Sequence, residues 1–504
     1  MSLEYTAAAS AVRAVLEGRR SLKNAIYDVS ARGVRNVKRV YALTCETLRN
    51  AAALEAACVS VPAISAALSV DEVDRALLLV LAYEALFGAG EIRGGGAGRR
   101  LVLAHTDALR AAAGAPARSE GRSSGVDKAS ATTGNGAVKA AGGGGARWVR
   151  VNTLVSTVAD AQKTLVDAGA SPTGVALAAG ESVASALVPY MLRLPAGAHA
   201  RLSLHEHALV LRGALVLQDL PSALPAHALL GDARVRISLV AADGAPGDVI
   251  DACAAPGNKT SQLAALLNET AAAASTASAM RGVKRKRSET VRTPRVLAFD
   301  RDPARLELLE SRIAAAAATD RVVARCADFL SLDPLSPEFA HVTAVLLDPS
   351  CSGSGMRARW GGVEAGGGGA TPTVSAEETA APPVPPRDAA RVRSLADFQL
   401  RALTHAFRFP SVRRVVFSTC SLFCEENEDV VAAALRADAR FKLIAALPEW
   451  PMRGVPRSAL DTETAARCVR WHPGARVLGG EDLGETGFFV ALFEREMEIP
   501  NASK

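Results

Sequence analysis

The chain has 504 residues, 49% of them apolar, which is more than one hydrophobic core ordinarily serves and predicts two or three globular domains. Its 8 cysteines are too sparse for a disulfide framework and offer no tetrahedral zinc set, no long apolar run suggests a membrane span, and the first residues lack the order of a secretory signal. A soluble intracellular protein with reduced thiols and no metal is expected, and a formal charge of +6 suits a nucleic-acid partner without establishing one.

From about residue 5 the apolar positions recur at helical spacing: Val12, Val15 and Leu16, then Val37, Val40, Leu43 and Leu48, then the run RALLLVLAYEALFG. This predicts an all-helical N-terminal domain over 1–112. Residues 113–146 carry almost no large apolar side chains and read as a disordered linker. RWVRVNTL at 147–154 predicts a strand and opens a small α+β unit over 147–243. Beyond it, in a domain over 244–504, strands at 248–252, 295–300, 321–328, 341–348 and 413–418 alternate with helices. Those helices begin near Lys259, Pro303, Ser394 and Glu425. That alternation predicts an α/β, doubly wound Rossmann-like sheet. Residues 268–293 and 361–390 read as surface insertions rather than elements, and KRKR at 284–287 as either a nuclear-import signal or a solvated charge cluster.

Open parallel sheets bind ligands at the carboxyl ends of their strands, so the residues just after each strand carry the information. DACAAPGNKT at 251–260 has the small residues and the glycine of a binding loop at a helix start. It lacks both the dinucleotide fingerprint and the phosphate-loop motif, which argues against NAD and nucleoside triphosphates. Asp300 ends the second strand, at the spacing expected of a ribose-binding acid once 268–293 is discounted; it is equally placed to cap the helix led by Pro303. With Asp251, Asp328 and Asp348 it gives four successive strands an acidic end, which suits a nucleoside-like ligand. Cys351 and Cys420 follow the fourth and fifth strands, which border one crevice. Each lies among Ser, Thr, Asp and Gly, unlike Cys58 in the apolar ALEAACVSV. Either alone reads as structural; as a pair beside Lys259 and Asp348 they point to thiolate catalysis.

DACAAPGNKT, FDRD at 299–302, LLDPSCSGSGM, FSTCSL followed by EENEDVV, and the terminal GFFVALFE together resemble the Nop/Sun-domain RNA cytosine-5 methyltransferases of the Fmu type. The resemblance spans about 147–497. The DPSCSGSGM form, with Ser350 where most of the family has proline, and SLKNAIYDV and NVKRVYALTCETLR in the helical region are similar to the branch that acts on large-subunit ribosomal RNA.

The resemblance implies S-adenosyl-L-methionine as methyl donor and a covalent adduct at carbon 6 of cytosine. It implies Cys420 as nucleophile, Cys351 as helper in product release, and Asp348 and Lys259 as the residues that hold the base. Around the cofactor it implies Cys253, Ala254, Ala255, Pro256, Gly257, Asn258 and Lys259, with Asp300, Arg305, Asp328 and Asp348. It makes 147–243 an RNA-recognition-like domain, with Arg212, Gln218 and Asp219 lining the site. It also implies a monomer, off the membrane, working on ribosomal RNA or pre-ribosomal particles in the nucleus and nucleolus. The rival expectations are an inactive ribosome-assembly RNA-binding factor, a methyltransferase for another RNA, and a DNA methyltransferase. The last is disfavoured because that family places its nucleophile after the fourth strand.

Overall fold

The computed structural model describes residues 2–17, 25–26, 34, 36–70, 73–88, 91–114, 147–170, 172, 188–195, 202–241, 243–280, 292–357, 383–385, 388–472, 476–477, 481–482 and 486–496. Most of the expected linker, the KRKR cluster and most of the insertion at 361–390 lie outside the described residues. Those described form two units, one built from residues 2–114 and the other from 147–356 and 383–496.

The first unit is helical: α1 (Leu3–Leu16), α2 (Val37–Arg49), α3 (Ala51–Ser60), α4 (Pro62–Ser69), α5 (Arg75–Leu86), α6 (Ala97–Ala104) and α7 (Thr106–Ala112). The run predicted as a core helix is α5, capped by Asp74 accepting from the Leu77 N–H and buried on almost every side. Its one buried acid, Glu84, accepts from the Tyr5 hydroxyl at 3.3 Å and from Arg39 at 3.1 Å, which ties α1 and α2 to α5.

In the second unit β1 (Arg147–Val151) pairs antiparallel with β2 (Met191–Leu194) and β3 (Leu215–Val216). Around this small sheet lie α8 (Val158–Asp167), α9 (Ala208–Leu211), α10 (Leu220–Leu230) and α11 (Ala233–Ser238). The main sheet contains the five strands expected: β4 (Asp248–Asp251), β5 (Val296–Asp300), β6 (Val322–Cys326), β7 (Val342–Leu347) and β8 (Arg414–Thr419). They are parallel in the order β8-β7-β4-β5-β6. Between them run α12 (Asn258–Met280), α13 (Pro303–Ala315), α14 (Ser354–Arg357) and α15 (Ala389–Phe407).

The sheet is covered on both faces, which is why its strands are near-continuous apolar runs. Val249, Val296, Ala298, Ala344, Leu346 and Val416 share a core with Leu263, Leu309 and the small sheet's Trp148 and Leu192. Their alternate neighbours Ile250, Leu297, Phe299, Val345, Leu347 and Phe417 share the other with Leu403 and Phe407 of α15. The described residues of 147–241 thus share one continuous core with the main sheet.

Three findings differ from the sequence reading. The stretch 268–293, expected as an insertion without an element, is helical as far as Met280, since its alanine-rich composition prolongs α12. Helix α15 starts at Ala389, inside the expected insertion and before Ser394. After α16 (Glu428–Ala437), which the Cys424–Glu426 3-10 turn precedes, the sheet gains strands not expected. These are β9 (Phe441–Ile444) and β10 (Val469–Trp471), then, past the small pair β11 (Arg476–Val477) and β12 (Glu481–Asp482), β13 (Phe488–Arg495). β13 lies antiparallel between β8 and β10 and so covers the edge next to Cys420.

Candidate active site

The loop from β4 to α12 turns at Gly257, whose φ of +99° favours glycine, just after a cis Ala255–Pro256 bond. Asp300, only 4% exposed, holds this loop from the end of β5: its carboxylate accepts from Ala255 N–H at 3.2 Å and lies 3.3 Å from Arg305, which donates to the Ala255 carbonyl at 2.8 Å. The cap of α13 is Asp302, accepting from Ala304 and Arg305, so the capping alternative for Asp300 is corrected by two residues. Asp328 is exposed and accepts from Leu330 N–H at 3.0 Å, starting the 3-10 turn Phe329–Ser331. Asn258 turns toward α13, where its side chain accepts from Arg312 at 3.0 Å. Cys253 is half-buried and its thiol is pushed up by burial.

Beneath the loop, the buried Asp251 accepts from the Thr260 hydroxyl at 2.7 Å through one oxygen, while the other has no partner. Burial pushes this carboxyl up to about 7. Lys259, on the first turn of α12, reaches Asp348 at 2.7 Å and Ser222 Oγ at 3.1 Å, and lies 5.5 Å from the Phe488 ring centre. Asp348 also accepts from the Ser418 hydroxyl at 2.8 Å. Lys259 and Asp348 therefore stand between the strand ends of the loop side, β4 to β6, and those that carry the cysteines.

Because β7 and β8 are parallel neighbours, the segments leaving them run side by side. Cys351 and Cys420 are both free, and their Sγ atoms are 3.0 Å apart. The hydrogen bond to Cys420, together with burial, holds the Cys351 thiol well above the ordinary thiol range. The arrangement offers two thiols in mutual contact near a fixed Lys259–Asp348 pair.

The 28S rRNA (cytosine-C(5))-methyltransferase of Mus musculus is 36% identical to this chain, over 98% of it and 91% of the mouse protein. The chain belongs to the RNA cytosine-C5 methyltransferase family. The 25S rRNA (cytosine-C(5))-methyltransferase NSUN5 of Arabidopsis thaliana, another relative, is 31% identical over 98% of this chain and 73% of its own length. A solved structure, that of PH0851, shares the fold with a TM-score of 0.53 at 16% identity, covering 98% of each chain. No family model matches.

In this RNA cytosine-C5 methyltransferase the structure brings Cys351, Cys420, Asp348 and Lys259 together, with the 253–259 loop and Asp300 on the adjoining strand ends. Asp328 lies beyond the edge strand β6, four strand positions from Cys420. Gln218 stands behind the start of α12, where it accepts from the buried Arg150 at 2.7 Å and donates to Gln262 at 3.0 Å. Arg150 also donates to Ser261 Oγ at 2.7 Å, and burial lowers its pKa to about 10. Sequence reasoning missed Arg150, Gln262, Gln399 and Glu426. The one available signal was the run of acids EENED at 425–429, three residues beyond STCS, with no basic residue within it.

Proposed function

We propose that the chain methylates carbon 5 of a cytosine in large-subunit ribosomal RNA, with Cys420 forming a covalent bond to carbon 6. The observation that carries this reading is the free Cys351–Cys420 pair at 3.0 Å beside the Lys259–Asp348 pair. Carbon 5 of cytosine is a poor nucleophile until a group adds at carbon 6 and pushes electron density onto it. Cys420 as thiolate makes that bond. Asp348 holds the polar edge of the base, and Lys259 supplies positive charge as the ring becomes electron-rich. After transfer the carbon-5 proton leaves, the electrons re-form the ring double bond and the bond to Cys420 breaks. Cys351 assists this release.

S-adenosylmethionine, the methyl donor of the family, supplies an electrophilic methyl on a sulfonium. The acids at the strand ends and the glycine turn at Gly257 fit a ligand carrying a cationic centre and a ribose diol. Residues 253–259, Asp300, Arg305, Asp328 and Asp348 would hold it. Residues 147–243 serve as the RNA-recognition-like part, and the target base must leave any stack to meet Cys420. The relatives act on 28S and 25S rRNA by name, which supports the same class of substrate here; work in the nucleus or nucleolus, on ribosomal RNA or pre-ribosomal particles and as a monomer, is part of the same proposal.

Converting Cys420→Ala should abolish methyl transfer to ribosomal RNA, whereas Cys351→Ala should accumulate a protein–RNA adduct that survives denaturing electrophoresis. An active Cys420→Ala protein overturns the nucleophile. Bisulfite mapping of large-subunit RNA with and without the protein tests the substrate, and an unchanged map points to another RNA.

A further inference from the structure

Resting on the reading above, we propose that Glu426 is a positioning residue for the reaction: its carboxylate sets the spacing of the two cysteines by gripping the residue that follows each. Glu426 is fully buried on the 3-10 turn ahead of α16. One oxygen accepts from Ser352 N–H at 2.8 Å, and Ser352 follows Cys351. The other accepts from the Ser421 hydroxyl at 2.6 Å, and Ser421 follows Cys420. Gln399 of α15 donates to the first oxygen at 3.0 Å and to the Ser350 carbonyl at 3.1 Å, which completes the hold on the Cys351 segment.

The serines also meet directly, Ser352 Oγ lying 3.1 Å and Ser354 Oγ 3.2 Å from Ser421 Oγ. Asn427 steadies the other side, accepting from the Thr419 hydroxyl at 2.5 Å and donating to the Ser421 carbonyl at 2.9 Å. A buried carboxylate is tolerated when such hydrogen bonds satisfy it, and charge-assisted bonds of this length are stiff. Removing it strands the buried Ser352 N–H and loosens two segments that, among the described residues, are otherwise joined here by serine hydroxyls, the two cysteine sulfurs and the Gly355 N–H to the Cys420 carbonyl, 3.0 Å. Two cysteines that act in turn on one carbon framework need such a fixed spacing, since a displacement of about 1 Å costs on the order of 100-fold in rate.

The test uses the full chain as wild type, Glu426→Ala, Glu426→Gln, Ser421→Ala and Cys420→Ala. Methyl transfer to a ribosomal RNA fragment gives kcat and KM, and calorimetry gives S-adenosylmethionine affinity. The spacing itself is read with diamide, an azo compound that takes up two thiol protons and two electrons to become a hydrazine as the sulfurs join. Peptide mapping follows the rate of the Cys351–Cys420 link. Glu426→Ala should lower kcat about 30-fold or more, leave KM and cofactor affinity within about threefold, and slow the diamide link. Glu426→Gln, which keeps one acceptor, should recover part of both.

Wild-type kcat and an unaltered diamide rate in Glu426→Ala overturn the proposal, as does a loss shared equally by cofactor affinity, RNA affinity and melting temperature. Should Glu426→Ala fail to fold, Ser421→Ala decides: a several-fold lower kcat and slower link support the proposal, and wild-type values overturn it. An active Cys420→Ala overturns the nucleophile reading alone, because the diamide rates still report whether Glu426 sets the spacing.

Discussion

Asp251 shows how one side chain changes its chemistry once the chain closes around it. In sequence it is the first of four strand-end acids. In the structure burial raises its carboxyl to about 7, outweighing the Thr260 hydroxyl and Lys259, which pull the other way. The folded protein therefore keeps a proton that the unfolded chain has released from about pH 4 upward. The stability this brings is complete below that pH and is lost as pH rises through about 7. Asp251→Asn cannot ionise, so its melting temperature should gain on that of the wild type by a few degrees between pH 5 and pH 8. A gap independent of pH contradicts the assignment. At the same scale Asp300 and Asp302 divide between them the two roles that the sequence left open for Asp300. The spacing rule marked an acid at the strand end, but which carboxylate caps α13 and which holds the loop was decided by the approach of Ala255.

Helix α16 and strand β10 are joined by a buried ion pair. Arg470 donates through Nε and a terminal nitrogen to Glu428, both at 2.6 Å, and donates to the Leu422 carbonyl at 3.0 Å. The same guanidinium therefore also supports the segment just beyond Cys420. Replacing Arg470→Met leaves Glu428 buried without its cation, with only the Val455 N–H at 2.9 Å still donating to it, and should cost about 3–5 kcal/mol. The double variant Arg470→Met with Glu428→Leu should recover at least half of that in urea unfolding. No recovery means that packing, not charge, accounts for the loss. Nothing local in the chain announces this pair, whereas the five parallel strands were legible because each is an apolar run ended by an acid or a serine. β13 is such a run too, but it has no following helix to mark it as part of the alternation.

At the scale of the whole molecule, two units with separate cores carry a net charge of +6. With aromatic residues at 4% of the chain, stacking platforms are few, and Lys and Arg at phosphates should dominate RNA affinity. Raising salt from 50 to 200 mM should weaken RNA binding by about tenfold or more in fluorescence anisotropy. S-adenosylmethionine affinity should change by less than about twofold, because the contacts proposed for it, at the 253–259 loop and Asp300, involve largely buried residues, around which salt screens little. An RNA affinity indifferent to salt overturns the phosphate-dominated view.

The alternation of strands and helices, the loop at 253–259 and the pairing of two cysteines with Lys259 and Asp348 were legible in the chain, because each follows from periodicity or from residue type at a strand end. Folding was needed to show that the sulfurs stand 3.0 Å apart, that Glu426 grips both segments, and that Asp251 is raised while Asp328 caps a turn. Those outcomes depend on burial and on hydrogen bonds between residues distant in the chain, which local pattern does not encode.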